Sequence, residues 1–399
     1  MIRAPKITAL LAGTAFVMIS SQAYALDGQD LLDKINAAAY GAGNGAIAAK
    51  SVEVADDDVT LKGVTFTPAG PDAKAVEIGD LTLQDVSEED GGAYHIGLIE
   101  FPDINVTEGT TSARVSELYL SGIRVPGDVN TGDINSLLLY EEAHSGPISV
   151  TVDGKDVFSM AEAQGTMEVS DDESTISFAG EVTGIKADLS SVEDAKSKEA
   201  LEALNLQSID GNITMSGSWE IASGTIEVEE YTFDFANVGT LNLAFSLSGY
   251  TMDLIKQLQE TSRQMQAQPN NEQAQQAAGL AMLGLAQQMS FNNAEIRFDD
   301  DGITKRGLDF AGKQQGTSGE DMAQMVKAMV PMLLAQFKLA DLQNTVPAAV
   351  NAFVDQPENL TISFAPEKPV PFPMIMGAGM GAPETLPKLL GVTVTANEE

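Results

Sequence analysis

The chain has 399 residues with 58 acidic and 22 basic side chains, a formal net charge of −36, and such a surface repels nucleic acid and anionic lipid headgroups. Hydrophobic residues make up 43% of it, ample for a packed core, which excludes a disordered acidic tail. The complete absence of Cys excludes disulfides, thiolate chemistry and a lipid anchor on cysteine.

Residues 1–25 read as a secretory signal peptide. Arg3 and Lys6 supply the positive start, Ile7 to Ser20 the short apolar run, and Ala23-Tyr24-Ala25 an A-x-A cleavage site. Leu10-Leu11-Ala12-Gly13 would open a lipoprotein signal, but Thr14 stands where cysteine is needed. Cleavage removes Arg3 and Lys6 and no acid, so the net charge moves from −36 to −38. No later segment is long and apolar enough to span a bilayer. The expected location is therefore the periplasm.

Residues 26–250 read as a β-rich region with short helices. Asp27 to Tyr40 is predicted helical, with Leu31, Leu32, Ile35 and Ala39 on one face, and the glycines from Gly41 to Gly45 end it. Alternating apolar residues then predict closely spaced antiparallel strands up to Val125. Asp56-Asp57-Asp58 forms a hairpin tip among them. Ile134 to Glu142 is predicted as a short helix, Ile148 to Val169 as strand, and Glu193 to Leu204 as a polar helix. The stretch from Ile213 to Gly249 alternates most regularly. Its phase slips between Val228 and Tyr231, which predicts a β-bulge or a bend.

Residues 251–399 read as an α+β region that can form one continuous fold with the first. Met252 to Met289 is predicted helical with a break at Pro269-Asn270-Asn271. Asp299-Asp300-Asp301-Gly302 reads as a hairpin tip, with a strand returning from Ile303 to Phe310. Thr317 and Glu320 make a capping box for an amphipathic helix from Met322 to Phe337, which Pro331 should kink or split. A helix from Thr345 to Asp355, a strand at Leu360 to Phe364, an extended proline connector from Pro366 to Pro373, a helical turn at Leu386 to Leu390 and a strand at Val392 to Val394 complete the chain. The expected fold class is α+β, a curved antiparallel meander partly covered by amphipathic C-terminal helices.

Motifs for chemistry are incomplete. Gly307 to Lys313 spells G-x-x-x-x-G-K, but Gln314 replaces the Ser or Thr that would hold magnesium. Gly41 to Ala46 and Gly377 to Ala382 match G-x-G-x-x-A without a preceding strand, so both read as flexible turns. His95 and His144 are the only histidines, too few for a three-His zinc site. The acidic tips lack EF-hand spacing and read as solvated turns, with calcium binding left open. No cofactor or metal is expected.

Methionine is more informative, since eleven of sixteen lie after residue 250, mostly on amphipathic helices. The stripe from Met322 to Phe337 either fills the concave face of the meander or lines a pliable groove. In the second case Met322, Met325, Met329 and Leu333 line it together with Phe233, Phe235, Phe245 and Leu247, and an acyl chain is the expected ligand.

Two patterns carry resemblances. Ala294 to Ile303, the helix start after it, Val354 to Ile362 and Leu390 to Val394 resemble uncharacterised exported proteins of alphaproteobacteria. Val59 to Val64 followed by Gly79 to Leu83 is similar to repeats of AsmA-like and YdgA-like envelope proteins. The second resemblance implies a curved sheet with a lipid-holding apolar groove and transfers no site residue. Three functions follow in order: a non-enzymatic envelope protein binding an apolar ligand such as lipid or a protein partner; a structural or assembly factor using an exposed β-edge; and, last, an enzyme of unrecognised type. N-terminal sequencing of the exported protein should find Leu26 first, and an intact Met1 in a cytoplasmic fraction would overturn the signal-peptide reading.

Overall fold

The computed structural model describes residues 26–40, 47–67, 74–267 and 272–398. The signal peptide, the Gly41–Gly45 turn and the Pro269–Asn271 break lie outside the described residues. The chain opens with α1 (Gly28–Tyr40). It then lays down β1 (Ile47–Ala48), β2 (Ser51–Ala55), β3 (Asp58–Phe66), β4 (Val76–Glu88), β5 (Tyr94–Glu100), β6 (Ile104–Glu108), β7 (Thr111–Val115) and β8 (Tyr119–Val125). β9 (Glu142–Ser145), β10 (Ile148–Val152), β11 (Lys155–Met160), β12 (Glu162–Val169) and β13 (Thr175–Asp188) follow. α2 (Ala195–Leu204) leads to β14 (Ser208–Glu220), β15 (Thr225–Phe235) and β16 (Gly239–Ser248). α3 (Met252–Ala267) and α4 (Glu272–Ala286) precede β17 (Ser290–Asp300), and α5 (Ile303–Gln315), α6 (Gly319–Gln336) and α7 (Thr345–Asp355) precede β18 (Asn359–Phe364). β19 (Val370–Pro371), α8 (Phe372–Gly381), α9 (Leu386–Leu389) and β20 (Val392–Ala396) end it.

All these strands join one antiparallel sheet. Its main row runs β3–β4–β5–β8–β9–β12–β13–β14–β15–β16–β17–β18–β20. A side branch, β6–β7–β10–β11, joins the same edge of β13 beyond β12. β1 and β2 pair only with β3 at one margin, and β20 pairs only with β18 at the other. The sheet is therefore open and does not curl round on itself, which corrects the expected curved meander. The phase slip between Val228 and Tyr231 is a bulge in β15: Glu230 pairs with Ser216 and Val228 with Gly217, which leaves Glu229 as the extra residue. The bulge absorbs its extra residue locally, so the row of strands continues beyond it.

The N-terminal end has a filled core. Asp27 accepts hydrogen bonds from the backbone N–H of Gln29 and Asp30, which starts α1. Leu31 of α1 then packs with Val59, Leu83, Tyr94, Ile96 and Val125, all essentially inaccessible to solvent. The Tyr94 hydroxyl donates to Asp30 at 2.8 Å, and Lys34 donates to the same carboxylate at 2.5 Å. The Lys34 bond holds the Asp30 carboxyl below its ordinary range, while burial, then Asp30, push the Tyr94 hydroxyl up.

Several helical segments depart from expectation. Ile303 to Phe310 is helix, not strand, because Asp300 accepts from the N–H of Gly302 and Thr304 and so opens α5. The G-x-x-x-x-G-K run lies within that helix. The glycine-rich stretch read as a turn is α8, with Pro373 in its first turn, where a missing N–H costs nothing. Ile134 to Ser136 is a single 3-10 turn instead of the longer helix. The capping box exists one residue later than expected, between Ser318 and Asp321, and α6 runs through Pro331 unsplit. No helix among the described residues is long and apolar enough to cross a membrane.

The stripe on α6 is divided. Met322 and Leu334 are buried, whereas Met325, Met329, Met332, Leu333 and Phe337 are exposed, Met329 by 50%. The helix packs on α5 and α7. Met322→Ala should destabilise the protein by about 2–4 kcal/mol through lost burial and a cavity. Met329→Ala should cost less than about 0.5 kcal/mol. Denaturant titration of both reads the difference, and equal losses would mean that α6 is turned the other way.

Seven aspartates, Asp30, Asp80, Asp128, Asp172, Asp188, Asp194 and Asp321, are held below their ordinary range by hydrogen bonds from lysine, serine, asparagine or backbone N–H groups. Depressed carboxyls stabilise the fold fully above the unfolded value and lose that contribution as pH falls through the folded one. Melting temperature followed downward from about pH 5 should therefore drop only below about pH 4. A melting temperature still rising in that acid range would overturn this account.

Candidate functional site

Residues directly opposite one another in an antiparallel pair share a face of the sheet. Pairing therefore joins Val182, Ile213, Phe233, Leu241, Phe298, Leu360 and Ala396 in one apolar row from β13 to β20. A second row on the same face holds Met167, Phe178, Gly217, Val228, Phe245, Ala294, Phe364 and Val392. The opposite face is polar, as the row Glu181, Thr214, Thr232, Asn242, Arg297, Thr361, Thr395 illustrates. Gly217 is glycine for a reason of space. A Cβ there would lie 2.7 Å from the Phe178 ring and 2.4 Å from the Glu227 carbonyl oxygen.

Helices close this apolar face at its ends. At one, Trp219 packs with Ile134, Ile176 and Met252 of α3, and its indole N–H donates to the Tyr250 carbonyl at 2.9 Å. At the other, buried Phe353 of α7 sets its ring edgewise on Phe298, centroids 6.5 Å apart. Between them Met215, Tyr231, Phe233, Leu243 and Phe245 are only half-buried, and Ile296 is 37% exposed. The Tyr231 and Phe233 rings lie 4.5 Å apart within this strip.

The expected ligand-lining residues divide accordingly. Phe233, Phe235, Phe245 and Leu247 share the apolar face through β15 and β16. Met322 is buried within the helical layer, and Met325, Met329 and Leu333 face solvent on α6. Ile296 and Ile362, which extend the strip across β17 and β18, were not among the expected site residues. Their alternation with polar neighbours was visible, but their register against Leu243 required the pairing.

Two clefts lie away from this strip. One of about 590 Å³ lies between α3, α4 and the Val129–Asn130 loop, where Lys256 donates to the Asn130 carbonyl. The other, about 570 Å³, opens between α8 and α9; it is apolar apart from Thr385 and Lys388.

The histidines and acidic tips have structural partners. His144 stacks on Tyr119 at 4.6 Å and bonds to the Glu117 carbonyl and to Glu162. His95 sits opposite Arg124 between β5 and β8. At the second acidic tip Arg297 clamps Asp299, Asp300 caps α5, and Asp301 accepts from the Asn237 N–H. Among the described residues no group of three or more His, Cys, Asp or Glu is placed to hold a metal ion.

The match to a known family covers the C-terminal part of the chain. No curated protein matches it. A family model described only as "Uncharacterized protein" matches residues 232–397, which run from β15 to the end of β20. That span contains the Ala294–Ile303 and Val354–Ile362 patterns, and it leaves out Val59–Val64 and Gly79–Leu83, where the AsmA-like resemblance lies.

Proposed function

We propose that this protein is a non-enzymatic, exported envelope protein that binds an apolar ligand, an acyl chain of a lipid, along the apolar face of its open sheet. The observation that carries this reading is the half-covered strip between the Trp219 cluster and Phe353. A protein that buried this face for stability alone would cover it as α1 covers β3 to β5, where the core side chains are fully buried. The amphiphile lies across the strands with its chain on Phe233, Leu243, Phe245 and Ile296. The AsmA-like pattern at Val59–Val64 and Gly79–Leu83 points the same way, and the Ala23-Tyr24-Ala25 site supports a periplasmic location.

A second reading has its own observation. β6 is an edge strand paired only with β7, all five of its residues are exposed, and Ile104 and Val106 are apolar. Such an edge can accept a strand from a protein partner.

Native mass spectrometry of protein purified from the envelope separates the two. Co-purified lipid supports the first reading and a stoichiometric protein complex the second. Leu243→Glu places a charge in the strip and should reduce retained lipid by about tenfold or more, while Thr393→Glu, on the polar face, should leave it unchanged. Lipid-free wild-type protein, or equal retention by both variants, rules out the sheet-face site.

A further inference from the structure

The exposed side of α6 is a different surface from the sheet strip, and its charge is unlike the rest of the chain. Met329, Met332 and Phe337 project outward, Met332 by 69%. A second helix, α8, also carries exposed methionine, Met380 by 86%. The two helices are connected: the 3-10 turn Ala340–Leu342 packs on α6 and on α9, and α9 packs on α8.

Acidic residues are missing from these segments. None lies between Asp321 and Asp341, and none between Glu367 and Glu384, although 58 of the 399 residues are acidic. Lysines stand at the margins instead. Lys338 follows α6, Lys368 precedes α8, and Lys388 is on α9; all three are exposed, and none forms an ion pair among the described residues. Lys327, the lysine within α6, is engaged by Asp355.

Apolar side chains on the exposed helical faces, lysines beside them and carboxylates only at the margins (Asp341, Glu367 and Glu384) match the chemistry of a bilayer interface with anionic headgroups. A second copy fits poorly, because two chains each at −36 repel. We infer that α6 and α8 dock this protein peripherally on a lipid bilayer containing anionic phospholipid. Methionine, leucine and phenylalanine enter the interface, and Lys338, Lys368 and Lys388 meet phosphates. The acidic remainder is repelled by the same membrane, so the protein approaches it in one orientation. Screening over about 8–10 Å at physiological salt leaves the contact governed by the residues that touch it.

Vesicle flotation of the full exported chain tests this. Vesicles of phosphatidylcholine with a minor share of phosphatidylglycerol should carry the wild-type protein upward. Met332→Asp with Phe337→Asp should lower the bound fraction by about tenfold with unchanged circular dichroism, since both side chains are exposed. Lys338→Gln, Lys368→Gln and Lys388→Gln together should abolish the preference for anionic over purely zwitterionic vesicles. Leu243→Glu should float like wild type, so the docking surface and the sheet-face site fail separately. Wild-type protein that stays with the dense fraction, or a Met332/Phe337 variant that floats equally well, overturns the inference. So does a stoichiometric protein complex that the same two substitutions abolish in the absence of flotation.

Discussion

Backbone pairing across β12 to β20 is the constraint on which the rest of this molecule depends. Each strand is bonded to the next in a register that puts apolar residues opposite apolar ones and threonine, asparagine and charge opposite their like. A slip of one residue at any rung would turn phenylalanines to the wet side and threonines to the dry one. The bulge facing Gly217 is where this pressure is visible. The chain there accepts an irregularity in the ladder, and Gly217 gives up its side chain, so that Phe178 and Val228 stay in the same row.

The helices answer that constraint unevenly. α1 lies over the first strands and completes a dry core, and α3 and α7 cover two ends of the long apolar face. α5 and α6 pack on one another, on α2 and on α7. Apolar area is thus left available on the sheet between α3 and α7 and on the outward side of α6 and α8. Leaving it so forgoes roughly 25 cal/mol for each Å² not buried. A lipid that lies on the one and a bilayer that receives the other would recover that stabilisation.

Period-two alternation made the strands of the central sheet legible in the sequence, along with the bulge after Val228 and the shared face of Phe233, Phe235, Phe245 and Leu247. What alternation does not encode is the course of the whole row, so the open sheet was misread as curved. The α5 error has a local cause. Asp-Asp-Asp-Gly serves a hairpin tip and a helix cap equally well, and only the hydrogen bonds to Asp300 decide between them. α8 was missed because three glycines in ten residues lower helix propensity, an effect that packing against α9 and β19 overrides. On α6 the helical spacing identified the apolar residues, but the stripe is wide enough to have a covered and an uncovered half. Sequence spacing alone does not separate Met322 from Met329.

The order of pairing also bears on how the chain is made. From β3 onward every strand except β6 finds a partner that precedes it: β8 returns to β5, β10 to β7, β12 to β9, and β14 through β18 each add to the strand before. A polypeptide emerging N-terminus first can therefore add strands to an edge already in place, without holding long unpaired segments in reserve. The α1-covered end, complete by β8, offers a packed edge from which such growth can proceed. The sticky row of phenylalanines is then presented one rung at a time, which limits the aggregation-prone intermediates that large sheets otherwise pass through.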